Sequence, residues 1–345
     1  MKENLIFIYP KKFTFIKTEI RLLESDYRIK DINLKWSNKL LLPINFFLQF
    51  IFLIVNIFNS KIILISFAGY WSFLPSLFGK IFNKKTFLVV HGTDCADFPQ
   101  INYGSLRLFQ MKFFIKYSYK LVDLILPVSK SLVYTENTYF EDKILKFGYS
   151  YHFKNINTNN IVIPNGIDTS FWKRNFNIKR NKKSFITVLS PGQFLLKGGD
   201  LILEAAKRFP DYDFIFAGIE QNEANCNLNN VKFLGYVSPK ELIDLYSQSQ
   251  FYFQLSLFEG FGVAICEAML CECIPIVSNV NFLPSIVKES GFVIKKKNID
   301  LLVNLINIVI KSDHTDLEKK ARNRIVYNFS FENRKKLLLN ILRDK

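Results

Sequence analysis

Short apolar runs recur along this chain, and stretches with helical spacing fill the intervals between them. In the first half the runs fall at Leu5–Tyr9, Asp31–Leu34, Ile62–Ser66, Thr86–Val90, Leu124–Val128 and Ile161–Ile163. Alternation of strand-like and helix-like segments predicts parallel strands joined by right-handed crossovers, a doubly wound sheet. Lys173–Lys183 interrupts the pattern; polar, basic and without apolar periodicity, it reads as a linker. The pattern then restarts. Strands are expected at Phe185–Leu189, Asp213–Ala217, Val231–Leu234, Phe251–Leu257, Ile274–Val277 and near Gly291–Ile294. Helices are expected at Gly199–Phe209, Pro239–Gln248, Val263–Leu270 and Asp300–Lys311, with a closing amphipathic basic helix at Phe331–Arg343.

A length of 345 residues agrees with two domains. The expected class is α/β: a doubly wound domain over residues 1–172, a linker over 173–183, a second doubly wound domain over 184–330, and a terminal helix, 331–345, that crosses back to the first domain. Two such domains face a cleft, and a small-molecule site is expected there, at the carboxyl ends of the strands.

Leu40–Phe58 approaches the ~20 apolar residues that span a bilayer. Pro43, Asn45, Gln49 and Asn56 interrupt it and no comparable second segment exists, so a buried or surface-docked helix is expected instead. Lys35, Lys39 and Lys61 flank it, which suits an interfacial role. The N-terminus reads as a strand ending at Pro10, not as a signal peptide.

The formal net charge of +16 favours anionic partners: membrane lipid, nucleic acid or phosphorylated ligands. Nucleic acid is set aside, because the basic residues are scattered and no nucleic-acid module signature occurs. Abundant Lys, Asn, Ile and Phe with scarce Ala read as codon bias rather than as chemistry. Cys95, Cys226, Cys266, Cys271 and Cys273 have no zinc-ligand spacing and read as reduced core thiols of a cytosolic protein.

The richest segment is Phe251–Pro275, FYFQLSLFEGFGVAICEAMLCECIP. An apolar strand breaks at Glu259-Gly260-Phe261-Gly262 and a helical pattern follows from Val263. Strand, glycine turn, helix is the layout that aims free backbone N–H groups at an anion. A carboxylate beside a phosphate cradle is repulsive unless it handles hydroxyls or cations, so Glu259 and Glu267 point to a sugar or ribose. Ile265 stands where a third glycine would complete a dinucleotide fingerprint, which argues against a dehydrogenase.

A second loop, Ser190–Asp200, carries Gly192, Lys197 and Gly198 into a helix, and its lysine either meets a diphosphate or is solvated. His91 ends an apolar run and either contacts a sugar hydroxyl or donates to a backbone carbonyl. Asp94 and Asp97 nearby either bind hydroxyls or cap a helix, and Ser129 reads as a cap. Pro164-Asn165-Gly166-Ile167-Asp168 is a turn at a strand end.

Together these residues resemble the retaining GT-B glycosyltransferases of family 4, the glycosyl transferases group 1. Glu259 and Glu267 match that family's E-x7-E motif as EGFGVAICE. Pro164–Asp168 is similar to its PNGID segment, Lys197-Gly198 to its KG motif, and FLGYV at Phe233–Val237 to its FLG-x-V stretch. The resemblance covers most of the second half and, more weakly, the first. It implies two Rossmann-like domains and a catalytic set of His91, Lys197 and Glu259: His91 on the transferred sugar, Lys197 on the departing diphosphate, Glu259 on sugar hydroxyls. It implies donor binding by Gly192, Gly260, Phe261, Gly262 and Val263, a ribose contact at Glu267, and a nucleobase near Tyr236 and Val237. No metal and no cofactor is implied.

Two departures stand out. Gly192-Gln193 precedes Lys197 where the family carries Gly-Arg, in a loop one residue shorter. Pro10-Lys11-Lys12-Phe13 replaces a glycine-rich first loop.

The expected function is transfer of a sugar from a nucleotide diphosphate sugar to an acceptor hydroxyl with retention, by same-face attack assisted by the leaving phosphate. The expected setting is cell-surface polysaccharide or lipid-linked glycan synthesis. Expected partners are the donor, a glycan or lipid-linked acceptor and an anionic membrane surface, on the cytoplasmic side of the cell membrane. The alternatives are a non-catalytic nucleotide-sugar-binding subunit of a glycan assembly complex and a sugar-nucleotide epimerase of the same fold.

Overall fold

The computed structural model describes residues 2–343 apart from residue 225. The chain divides into two compact units. The first holds the residues up to Thr135, Lys146–Pro164 and the residues from Arg334 on; the second holds Glu136–Leu145 and Asn165–Asn333.

In the first unit, β1 (Glu3–Ile8), β2 (Tyr27–Asp31), β3 (Ser60–Ser66), β4 (Lys85–Val90) and β5 (Leu124–Pro127) form one sheet in the order β2-β1-β3-β4-β5. Every pairing is parallel. Leu5–Ile8 and Ile62–Ile65 are buried along their whole length, as strands covered on both faces must be. The helices are α1 (Thr14–Glu24), α2 (Leu42–Ile57), α3 (Tyr70–Ile81), α4 (Phe109–Leu121) and the short α5 (Tyr149–His152). The chain steps one way from β1 to β2 and the other way from β2 through β5. Right-handed crossovers therefore put α1 on one face and α2, α3 and α4 on the other. Aromatic rings join that second layer: Phe50 of α2 meets Phe78 of α3 at 5.6 Å, and Phe73 of α3 meets Phe114 of α4 at 5.5 Å.

Two expected strands differ. The second lies at Tyr27–Asp31, not Asp31–Leu34. It is an edge strand alternating Tyr27 and Ile29 with Arg28 and Lys30, so a search for unbroken apolar runs passes over it. Ile161–Ile163 forms no strand, yet it runs along β5, with Ile161 N donating to Ile125 O at 3.0 Å and Ile163 N to Pro127 O at 2.9 Å.

The second unit carries β8 (Asn181–Val188), β9 (Asp213–Ala217), β10 (Val231–Phe233), β11 (Ser249–Gln254), β12 (Ile274–Ser278) and β13 (Phe292–Ile294); β6 (Thr135–Asn137) and β7 (Leu145–Phe147) bracket the separate stretch Glu136–Leu145. The six-stranded sheet has the order β10-β9-β8-β11-β12-β13, all parallel. The chain winds outward from β8 in one direction and from β11 in the other, so the topological switch point lies between these two strands. The helices are α6 (Gly199–Arg208), α7 (Pro239–Gln248), α8 (Val263–Leu270), α9 (Leu283–Val287), α10 (Ile299–Lys311) and α11 (Thr315–Asn328). The closing α12 (Phe331–Arg343) starts in this unit and belongs to the first from Arg334 onward. There Arg334 is buried, paired with Glu19 at 2.8 Å and donating to Ile163 O at 3.1 Å and Pro164 O at 2.9 Å.

The boundary falls at Pro164/Asn165 rather than at 172, and Lys173–Lys183 is not a free linker. Arg174 pairs with Glu272 at 2.9 Å and Glu318 at 3.0 Å. Arg180 has a buried side chain that donates to Cys271 O at 2.8 Å, Glu272 O at 2.6 Å and Ser247 O at 3.2 Å. A stretch without apolar periodicity is thus strapped down by its charges. The missed α11 supplies Glu318, the acceptor for both arginines.

Arg180→Ala leaves three carbonyls of the second unit short of a donor and is expected to destabilise it by about 2–4 kcal/mol in denaturant unfolding. A change within about 0.5 kcal/mol, the range of neutral surface substitutions, restores the linker reading.

Candidate functional site

Two loops meet at the β8/β11 switch point. Beyond β11 the chain passes Leu255–Phe258 and turns at Glu259–Gly262 into α8. Gly262 caps α8 with φ +110°, a conformation that favours glycine, and no side chain caps the helix. Phe261 is buried, stacked on Phe282 at 5.6 Å and edge-on to Phe329 at 5.5 Å. Its ring anchors the turn, so only its backbone is left for a ligand. The first-turn N–H groups of α8 have no acceptor inside the helix and stand at its positive end.

The loop after β8 is pinned against this turn. Leu257 N donates to Leu196 O at 2.8 Å. Gly198 has φ +76°, and a Cβ there would lie 2.2 Å from Leu255 O. This close approach brings Lys197 Nζ to 2.6 Å from Glu259 Oε2, with both side chains largely buried. The same carboxylate oxygen accepts from Gln254 Nε2 at 3.1 Å and Ser256 Oγ at 3.3 Å. Glu259 N donates to Asn281 Oδ1 at 3.1 Å, and Asn281 Nδ2 is buried without a partner among the described residues.

Glu267 lies one turn into α8, and its carboxyl has no hydrogen bond or ion pair among the described residues. Burial pushes its pKa up to about 8. The raised pKa favours the protonated, neutral form around neutral pH, beside a helix mouth that attracts anions. This lessens the repulsion that a carboxylate would bring.

The remaining sequence candidates are not all gathered here. Gly192 sits on the Lys197 loop, and its N–H donates to Glu223 Oε2 at 2.9 Å. Tyr236 and Val237 line a cavity of about 380 Å³ against Ile178, Asp244 and Leu245; neither Lys197, Glu259 nor Glu267 lines it.

His91 belongs to the first unit, just past β4. Its ring stacks on Phe67 at 4.2 Å and its Nε2 lies 2.9 Å from Ser66 Oγ. Burial, with the Arg334 charge adding to it, holds its pKa well below the usual value, so the imidazole is neutral. Asp94 is a structural residue: its buried carboxylate accepts from Ala68 N at 3.0 Å, Gly92 N at 2.8 Å and His91 N at 3.2 Å. Neither a helix cap nor a hydroxyl ligand describes it. It fixes the backbone that presents His91.

Residues 171–328 match the family model described as glycosyl transferases group 1. The second unit carries a glycosyl transferases group 1 domain. The chain is similar to the O-antigen chain mannosyltransferase B of Escherichia coli, 36% identical over 72 residues that make up 21% of this chain and 19% of that protein. It is also similar to the GDP-mannose:cellobiosyl-diphosphopolyprenol alpha-mannosyltransferase of Xanthomonas campestris, 27% identical over 145 residues, 39% of this chain and 38% of that protein. The chain thus spans well under two thirds of these relatives. Among solved structures, Anabaena HepE in complex with UDP-glucose superposes with a TM-score of 0.72 at 16% identity, covering 99% of both chains. The chain has the GT-B class of fold, two Rossmann-like units in one chain.

Gln254, Ser256 and Asn281 of this domain join the site without having stood among the sequence candidates. The first two left a signal: they are polar residues in the buried apolar run that leads to Glu259. Asn281 left none, because the loop that carries it has no pattern of its own.

Two measurements probe this geometry. Gly198→Ala forces a strained φ and a backbone clash, and is expected to lower stability by about 1–3 kcal/mol; an unchanged unfolding midpoint contradicts the close approach. Folding raises the Glu267 pKa from 4.5 to about 8, so the native state holds that proton more tightly than the unfolded chain. The stability it contributes is complete below pH 4.5 and is lost as pH rises through 8. Glu267→Gln keeps the neutral form, so its unfolding midpoint relative to the parent is expected to rise between about pH 5 and pH 9. A pH-independent difference contradicts a buried, unpaired carboxyl.

Proposed function

We propose that this chain transfers a sugar from a nucleotide diphosphate sugar to an acceptor hydroxyl with retained anomeric configuration, in the synthesis of a lipid-linked or surface glycan. The observation that carries the reading is the largely buried Lys197–Glu259 pair at the β8/β11 switch point, beside the glycine-capped start of α8. Support for a nucleotide-sugar donor comes from the family of the domain and from the UDP-glucose bound by HepE. Support for a lipid-linked acceptor comes from the diphosphopolyprenol substrate in the name of the Xanthomonas relative.

In the step itself the bond between the sugar C1 and the diphosphate oxygen breaks, the acceptor oxygen bonds to C1 on the same face, and the acceptor proton passes to the departing phosphate oxygen. Charge builds on the diphosphate as it leaves. Lys197 and the first-turn amides of α8 stabilise that charge, acting in a site partly withdrawn from water where such contacts are strongest. Glu259 gives up Lys197 as partner and takes hydroxyls of the transferred sugar. Neutral Glu267 donates to the ribose. His91, held neutral, accepts or donates one hydrogen bond to a sugar hydroxyl without adding charge. Tyr236 and Val237 are the nucleobase contacts.

The test is nucleoside diphosphate release by purified protein across UDP- and GDP-sugars, with acceptor and product anomer followed by NMR. Lys197→Ala is expected to lower kcat by about 10²–10³-fold, and Glu267→Ala to weaken nucleotide affinity while reducing turnover. Release that needs no acceptor and leaves an epimerised sugar, or full activity in either variant, contradicts the proposal.

A further inference from the structure

Helix α2 is turned inside out relative to an ordinary surface helix. The face it buries is Asn45, Gln49, Leu53 and Ile57, at spacings of four. Its two polar members are tied into the fold: Asn45 Nδ2 donates to Lys35 O at 3.1 Å and Gln49 Nε2 to Trp71 O at 2.9 Å. The face left in water is apolar. Ile44, Phe47, Ile51 and Val55 are exposed, Phe47 by 63% and Val55 by 65%, and Phe58 just past the helix by 67%. Helices of globular proteins carry their apolar stripe inward, and a contiguous apolar face in water marks a contact surface.

The patch continues on α4. Phe109, Phe113 and Tyr117 form an exposed row at spacings of four, Phe109 by 87%. Phe46 of α2 packs on Phe114 of α4 at 5.5 Å, and Phe114 meets Phe113 at 5.6 Å, so the two rows lie on one layer. Beside the aromatic row runs a basic one, Lys112, Lys116 and Lys120, with no ion pair among the described residues. The two stretches of chain that carry the patch hold charge of one sign. No Asp or Glu occurs between Asp31 and Asp94, a stretch with six lysines, and none between Asp97 and Asp123, which holds one arginine and three lysines.

We propose that the outward face of α2, with the Phe109–Phe113–Tyr117 row of α4, docks this chain on an anionic lipid bilayer. The apolar side chains enter the headgroup boundary and the lysines meet lipid phosphates. Residues Lys39–Ile57 are long and apolar enough to cross a membrane, but crossing would break the Asn45 and Gln49 bonds that fasten α2 to the preceding loop and to α3. A second copy is the poorer occupant, because self-pairing sets lysine against lysine. The face is read from the first unit alone and does not depend on the donor chemistry of the second.

Flotation of the full chain tests this, using vesicles of phosphatidylcholine mixed with phosphatidylglycerol against pure phosphatidylcholine. The chain is expected to float with the anionic vesicles at low salt and to be released by high salt. Phe47→Ser with Val55→Ser, and separately Lys112→Glu with Lys116→Glu, are expected to cut vesicle binding at least about tenfold. Thermal unfolding and nucleotide binding of both variants stay as in the parent, which separates this outcome from failure of the proposed donor chemistry. No flotation, undiminished binding by the variants, resistance to carbonate extraction, or a dimer in light scattering that Phe47→Ser with Val55→Ser dissociates would each overturn it.

Discussion

A lysine and a glutamate, both mostly removed from water, are made to meet where β8 and β11 part. The constraint is topological. The chain winds away from these two strands in opposite directions, which leaves a crevice at their carboxyl ends where the two following loops meet. Backbone fixes the approach: Leu257 N on Leu196 O, and Gly198 against Leu255. A pair of this kind is costly to leave half-made. Any ligand that draws Lys197 away must hand Glu259 new donors in return. A sugar diphosphate does both at once, its phosphates taking the lysine and its hydroxyls the carboxylate. A bare anion does only the first, and the pair therefore discriminates between them on the proposed reading.

The same logic explains how two glutamates can stand beside a helix mouth that attracts anions. Glu259 has its charge matched by Lys197 and softened by Gln254 and Ser256. Glu267 has no such partner, and burial keeps its proton on. One carboxylate is matched by a cation and the other is shifted toward its protonated form, so the amides of α8 face less opposing charge. The missing arginine of the lysine loop matters less in such a site than it would in one that had to overcome two free carboxylates.

Most of the sheet framework was legible because parallel strands covered on both faces read as unbroken apolar runs. Asp213–Ala217 and the helices Pro239–Gln248, Val263–Leu270 and Phe331–Arg343 lie where the pattern puts them. Edge strand β2 was not legible as a run, because one face of it alternates with charge. The segment Lys173–Lys183 misled for a different reason. Its order comes from arginines bonded to carbonyls and to Glu318 of α11, and bonds of that kind leave no periodicity in a sequence. At the site, the glycine turn and both glutamates could be read from local spacing. Asn281 could not, since it arrives from the next strand's loop, and Asp94 could be read only as a hydroxyl ligand or a helix cap, because a buried carboxylate serving three amides has no sequence signature distinct from a surface one.

A nucleoside diphosphate is expected to bind in the second unit, where Lys197 meets Glu259. A crystal structure of the chain soaked with UDP or GDP measures this directly. The predicted result places the diphosphate on Lys197 Nζ and the first-turn amides of α8, with the Lys197–Glu259 pair opened and the ribose on Glu267. A nucleotide bound elsewhere, with Lys197 still on Glu259, would contradict it.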